Sequence, residues 1–126
     1  MEFYAFADRH IDVDTLQARL DIRSLPTYCA SINQLLSHDG ERGEIYCIWG
    51  QFIVHRELIR GGVRFTLPKC PNALAWTITT GFPPEPDKIV IHCTINRREH
   101  DPDFIASIEK FVNDWREGLT ARWQAA

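Results

Sequence analysis

The chain opens with a short run, Glu2 to Ala7, in which Phe3, Tyr4 and Phe6 place aromatic side chains close together, a composition that predicts a strand. Asp12 or Asp14 is then placed to cap a short helix carrying Leu16 and Leu20 at i and i+4, which must end before Pro26 because a proline ring cannot continue the helical ladder. A second short helix is predicted over Thr27 to Ser37. Its apolar positions Tyr28, Ile32, Leu35 and Leu36 have helical spacing, and His38-Asp39-Gly40 followed by Gly43 breaks the pattern.

From Glu44 the period changes to two. Ile45, Cys47 and Trp49 alternate with Tyr46 and Ile48, so this strand is apolar on both faces and is expected to be central or covered. Gly50 interrupts the run as a bulge or sharp bend would, which makes the stretch to Ile59 a further strand. Arg60-Gly61-Gly62-Val63 then predicts a tight hairpin, because adjacent glycines supply the positive φ angles that a two-residue turn needs. Val63, Phe65 and Leu67 alternate with Arg64 and Thr66 up to Pro68, and Leu74, Trp76 and Ile78 alternate with Ala75, Thr77 and Thr79. After the proline-rich segment Gly81 to Asp87, Lys88 to Ile95 reads as a strand with Ile89, Ile91, Cys93 and Ile95 on its core face.

The last element has the clearest pattern. Phe104, Ile105, Ile108, Phe111, Val112, Trp115, Leu119 and Trp123 fall on one helical stripe opposite Glu109, Lys110, Asn113, Asp114, Arg116 and Glu117. Asp101 as cap with Pro102 at the first helical position defines its start. Burying about six of those side chains at ~1.5 to 3 kcal/mol each contributes on the order of 10 to 20 kcal/mol before entropy is subtracted, so the helix must lie across the sheet.

These elements predict one α+β domain over residues 1–126: two short N-terminal helices, an antiparallel sheet of five to six strands, and a long C-terminal helix packed on it. The order is similar to the helix-grip arrangement of START-like and pathogenesis-related ligand carriers. That resemblance, which rests on element order alone, implies a sheet wrapped around the last helix and a cavity between them.

Composition narrows the partners. A hydrophobic fraction of 44% supports a core without metal or disulfide help. A formal net charge of -3, with both signs mixed along the chain, lacks the basic excess that binding to nucleic acid would require. The first residues have no basic segment followed by an apolar run, and no stretch approaches the ~20 apolar residues of a membrane span, so a cytoplasmic protein is expected. The four cysteines, Cys29, Cys47, Cys70 and Cys93, form no Cys-x-x-Cys pair and are expected as free thiols, with Cys47 and Cys93 buried.

Candidate chemistry is sparse. His10, Asp12 and Asp14 would share a face if extended, but helix capping accounts for Asp14 without any catalytic role. His55 and His92 fall in strands, and a metal site would need them on adjacent ones. Cys70, between Lys69 and Pro71 in a loop, is the thiol placed for modification. Arg97 and Arg98 precede the last helix, where an anion would be favoured, although Asp101 and Asp103 oppose it. No phosphate-loop, dinucleotide, zinc-protease or serine-hydrolase motif occurs.

The aromatic residues remain. Trp49, Trp76, Trp115 and Trp123 with the seven Phe could simply fill a core, the default at helical or strand spacing. Alternatively, Tyr46, Trp76, Phe82 and Trp115 line an apolar pocket between the sheet and the final helix, and Trp123, beside a small polar tail, lies exposed and mediates self-association. The expectation is a non-catalytic binding domain, without a cofactor or metal, holding an apolar small molecule or a protein partner. The alternative is a small enzyme using His55 or His92 with nearby carboxylates or Glu57.

Overall fold

A computed structural model describes residues 1–96 and 101–123. Among the described residues seven strands form one antiparallel sheet: β1 (Glu2–Ala7), β2 (Ile32–Asp39), β3 (Arg42–Cys47), β4 (Gly50–Ile59), β5 (Gly62–Thr66), β6 (Ala75–Thr80) and β7 (Ile89–Thr94). Their order is β1-β7-β6-β5-β4-β3-β2, so the meander from β2 to β7 is closed off by the N-terminal strand. The helices are α1 (Val13–Arg19), α2 (Leu25–Tyr28) and α3 (Pro102–Arg122), with one turn of tighter helix at Ile22–Ser24. This is the predicted class, with one strand beyond the predicted count.

That extra strand is β2, and it corrects the helix predicted over Thr27 to Ser37. Only Leu25–Tyr28 is helical. Against β3, the register slips between Ile32 and Gln34 and again between Leu35 and Ser37. Each bulge adds a residue, so the inward-facing Ile32 and Leu35 stand three apart instead of two, and a bulged strand carries helical spacing.

Elsewhere the alternation predicts the faces. One face of the sheet, the inner one, presents Phe65, Trp76, Ile78, Ile91 and Cys93, all buried, and α3 lies on it with Ile108, Phe111, Val112, Trp115 and Leu119 turned inward. The outer face carries His55, Arg64, Thr77 and His92, and none of the described helices covers it. β3, expected to be central or covered, is central, paired with β2 on one side and β4 on the other. It is not covered on its outer face, where Tyr46 is 52% exposed, and Ile48, predicted in this strand, lies in the turn after it and is 38% exposed.

Two hairpins fix this geometry. Gly50, at φ +109°, follows the two-residue turn Ile48-Trp49 between β3 and β4. At Arg60-Gly61 only Gly61 takes a positive φ, and Gly62 is needed for space, since a Cβ there would sit 1.9 Å from the Ile78 carbonyl oxygen. α3 begins as predicted, with the Asp101 carboxylate accepting from the Asp103 amide and Pro102 in the first turn. Its other end corrects the expectation for Trp123, which is 2% exposed, packed on Tyr28 and covered by the Arg19 guanidinium. Arg97 and Arg98 lie outside the described residues.

Candidate ligand-binding site

α3 and the inner face of the sheet enclose a continuous aromatic cluster. Trp76 on β6 stands opposite Phe65 on β5, because alternation along two paired strands puts both side chains inward, and their rings stack at 5.3 Å. Trp115 and Phe111, one turn apart on α3, close over them: Trp115 lies 6.4 Å from Trp76 and 6.2 Å from Phe65, and Phe111 meets Trp76 edge-on at 4.9 Å. All four side chains are at most 1% exposed.

At one end the cluster reaches the surface through Trp49. The β3–β4 turn carries this half-exposed ring to α3, where it packs on Phe111 at 5.0 Å and on Phe104 at 6.3 Å. Its indole N–H donates to the Ser107 hydroxyl at 2.8 Å, and Ser107 in turn donates to the Phe104 carbonyl. One hydrogen bond thus fastens the tip of the hairpin to the first half of α3.

The polar atoms inside the cluster are not satisfied in the same way. Trp76 and Trp115 each bury the indole N–H completely, and among the described residues neither has an acceptor. Buried indole N–H groups normally find a partner, and leaving one unpaired costs about 1–3 kcal/mol. Two such donors within one cluster, in a domain whose net stability is of the usual ~5–15 kcal/mol, are a substantial and localised cost.

Of the four residues expected to line a pocket, the structure brings together Trp76 and Trp115. Tyr46 is on the outer face opposite Gln51, away from α3, because apolar residues on both faces of β3 leave its inward side ambiguous in the sequence. Phe82 follows β6 at the end remote from Trp76, where its ring covers Gly61 so closely that a Cβ on that glycine would lie 2.0 Å from it. Phe65, Phe111 and Trp49 complete the cluster in their place. The first two were legible as inward positions, and Trp49 was marked by the glycine that follows it.

The polar candidates do not converge. His55 and His92 both lie on the outer face, on β4 and β7, with β5 and β6 between them, so their strands are about 14 Å apart at ordinary spacing and the two residues are also out of register. His92 stacks on Tyr4 at 4.4 Å and has the Glu2 carboxylate 3.2 Å from Nε2, on an open surface. His55 borders a groove of about 540 Å³ whose lining includes two ion pairs, Arg56 with Glu41 and Arg64 with Glu57, each at 2.8 Å. Asp12 caps α1 by accepting from the Thr15 amide. Among the described residues no three His, Cys, Asp or Glu side chains are grouped to hold a metal ion. No described helix is long and apolar enough to cross a membrane.

No protein-family model and no curated protein matches this sequence. Solved structures do match in shape. The protein XoxI from Bacillus cereus superposes with a TM-score of 0.62 at 13% identity, over 97% of this chain and 93% of that one. An uncharacterized protein from Bacillus thuringiensis gives 0.64 at 12% identity, over 98% and 97%. A START superfamily protein from Mycobacterium smegmatis gives 0.61 at 12% identity, over 97% and 94%. At such identities the likeness is one of fold, and the fold of this chain is START-like.

Proposed function

We propose that this chain is a non-catalytic binding domain that holds an apolar small molecule, bearing at least one hydrogen-bond acceptor, between α3 and the inner face of the sheet. The observation that carries the reading is the pair of indole donors, Trp76 and Trp115, that find no acceptor among the described residues at the centre of an otherwise apolar cluster. An occupant with a carbonyl, carboxylate or hydroxyl oxygen there satisfies both donors, while its apolar body replaces ring-to-ring contacts of similar quality. The START-like fold supports the reading, and the four free thiols suit a reducing compartment such as the cytoplasm.

The cluster is closed, so an occupant enters by displacing side chains. Trp49 is the element placed to move, since it is half exposed and held to α3 by a single side-chain hydrogen bond. Ligand entry through this turn costs about one hydrogen bond, ~1 kcal/mol, plus the contacts with Phe104 and Phe111.

The test is intrinsic fluorescence of the purified protein titrated with fatty acids, aromatic ketones and sterol-like alcohols. The reading expects a saturable emission change for at least one class, weakened by Trp115→Phe. A flat response across all three, with matched alkanes equally inert, would overturn it.

A further inference from the structure

The two edges of the sheet are built differently. β2 closes one side with two bulges that break its ladder and a polar end, Ser37-His38-Asp39, devices that keep an edge from pairing with another chain. β1 closes the other side with neither: its register with β7 runs unbroken from Glu2 to Ala7, its only charge is Glu2, and Tyr4 at its middle is 53% exposed. The hydrogen bonds tell which groups are free. Met1 and Ile95 exchange both backbone bonds, at 3.0 and 3.1 Å. Alternation then makes Phe3, Ala5 and Ala7 the residues bonded to β7, and turns the N–H and C=O groups of Glu2, Tyr4 and Phe6 outward. Among the described residues no strand pairs with that side.

α3 runs beside this edge, leaving a groove of about 500 Å³ between Phe3–Phe6 and the helix positions Glu109, Val112, Asn113 and Arg116. On the helix, Glu109 and Arg116 stand one turn either side of Asn113, and all three are exposed. We propose that the chain pairs with a second copy of itself through the outer edge of β1, about a two-fold axis at Tyr4, with Glu109 of each α3 opposite Arg116 of the other. An axis at Tyr4 puts Tyr4 opposite Tyr4 and Glu2 opposite Phe6, which matches every outward donor with an outward acceptor. The same axis sets the two α3 helices antiparallel, so opposite charges meet twice. Arg116 donates from one guanidinium nitrogen to Glu117 at 3.2 Å on its own helix, an exposed neighbour pair, and a guanidinium carries further N–H donors for a second carboxylate.

The experiment is sedimentation equilibrium of the full chain over about 1 to 100 µM, the range in which an interface of ordinary size associates. A dimer is expected. Tyr4→Pro removes the outward N–H at the axis while sparing the β7 ladder, and should yield a monomer with unchanged circular dichroism. Should that variant unfold, the exposed charges decide: Glu109→Arg and Arg116→Glu should each weaken the dimer about tenfold, and the double swap should restore it. A wild-type monomer throughout the range, a dimer indifferent to Tyr4→Pro, or a double swap no tighter than either single swap would overturn the proposal.

Discussion

At the scale of single residues, burial decides the chemistry of the four thiols. Burial pushes Cys29 and Cys93 up to about 12, and raises Cys47 as well. Cys70, in the β5–β6 loop, is the half-exposed one. A disulfide reagent at pH 8 is therefore expected to modify one thiol in the folded protein and four in denaturant, with Cys70→Ser abolishing the native reaction. Equal native labelling of Cys47 would contradict this. The raised values also predict a pH dependence. Above the usual thiol value of 9.0 the unfolded chain loses protons that folded Cys29 and Cys93 retain, so stability contributed by these groups is complete below pH 9 and is lost between pH 9 and about 12. Replacing both by alanine should flatten that part of a melting-temperature profile relative to the wild type, whatever it does to the value at pH 7.

At the scale of elements, one contact sets how closely α3 approaches the short helices. Gly118 faces the Tyr28 carbonyl so tightly that a Cβ would lie 1.8 Å from its oxygen. Gly118→Ala is expected to destabilise by about 1–3 kcal/mol in a denaturant titration, although alanine favours an isolated helix by ~1 kcal/mol. An unchanged or raised midpoint would mean that α2 is free to move aside. Near the same junction, the buried Ser31 hydroxyl donates to the Asp114 carboxylate at 2.5 Å, and Lys110 reaches that carboxylate at 2.6 Å. These ties explain what could and could not be read in advance. The stripe of α3, the alternation of β5 to β7 and the cap at Asp101 are local, so the sequence carries them openly. The strand at β2 is not local. Its bulges exist only against β3, and they disguise the period by which a strand is recognised.

The same distinction governs the candidate site. Trp76 and Trp115 were legible as inward positions because each lies on an unambiguous stripe, whereas β3 offers apolar residues on both faces and nothing in its own sequence says that Tyr46 turns outward. The lack of acceptors among the described residues for two indole donors is a property of the assembled cluster and has no signature along the chain.

At the scale of the whole molecule, binding and folding are coupled. A ligand seated in the aromatic cluster binds the folded state alone, so at a hundred times its Kd it should add ~2.7 kcal/mol to the unfolding free energy and raise the melting temperature by several degrees. Ser107→Ala removes the hydrogen bond from Trp49 to α3, leaving its ring contacts with Phe104 and Phe111, and is expected to speed ligand association, with equilibrium affinity changed less than the rate, as stopped-flow fluorescence would show. Pairing through β1 uses a different surface, so monomeric variants should keep the binding response.

The central claim rests on two protons, and they can be observed directly. In ¹⁵N-tryptophan-labelled protein titrated with the ligand classes above, the account predicts that the Nε1–H resonances of Trp76 and Trp115, assigned through their Phe variants, move downfield together as an acceptor arrives, and that alkanes of equal size leave them in place. Resonances of Trp76 and Trp115 that stay fixed at saturation, while those of Trp49 or Trp123 alone respond, would place the ligand outside the aromatic centre and contradict the proposed site.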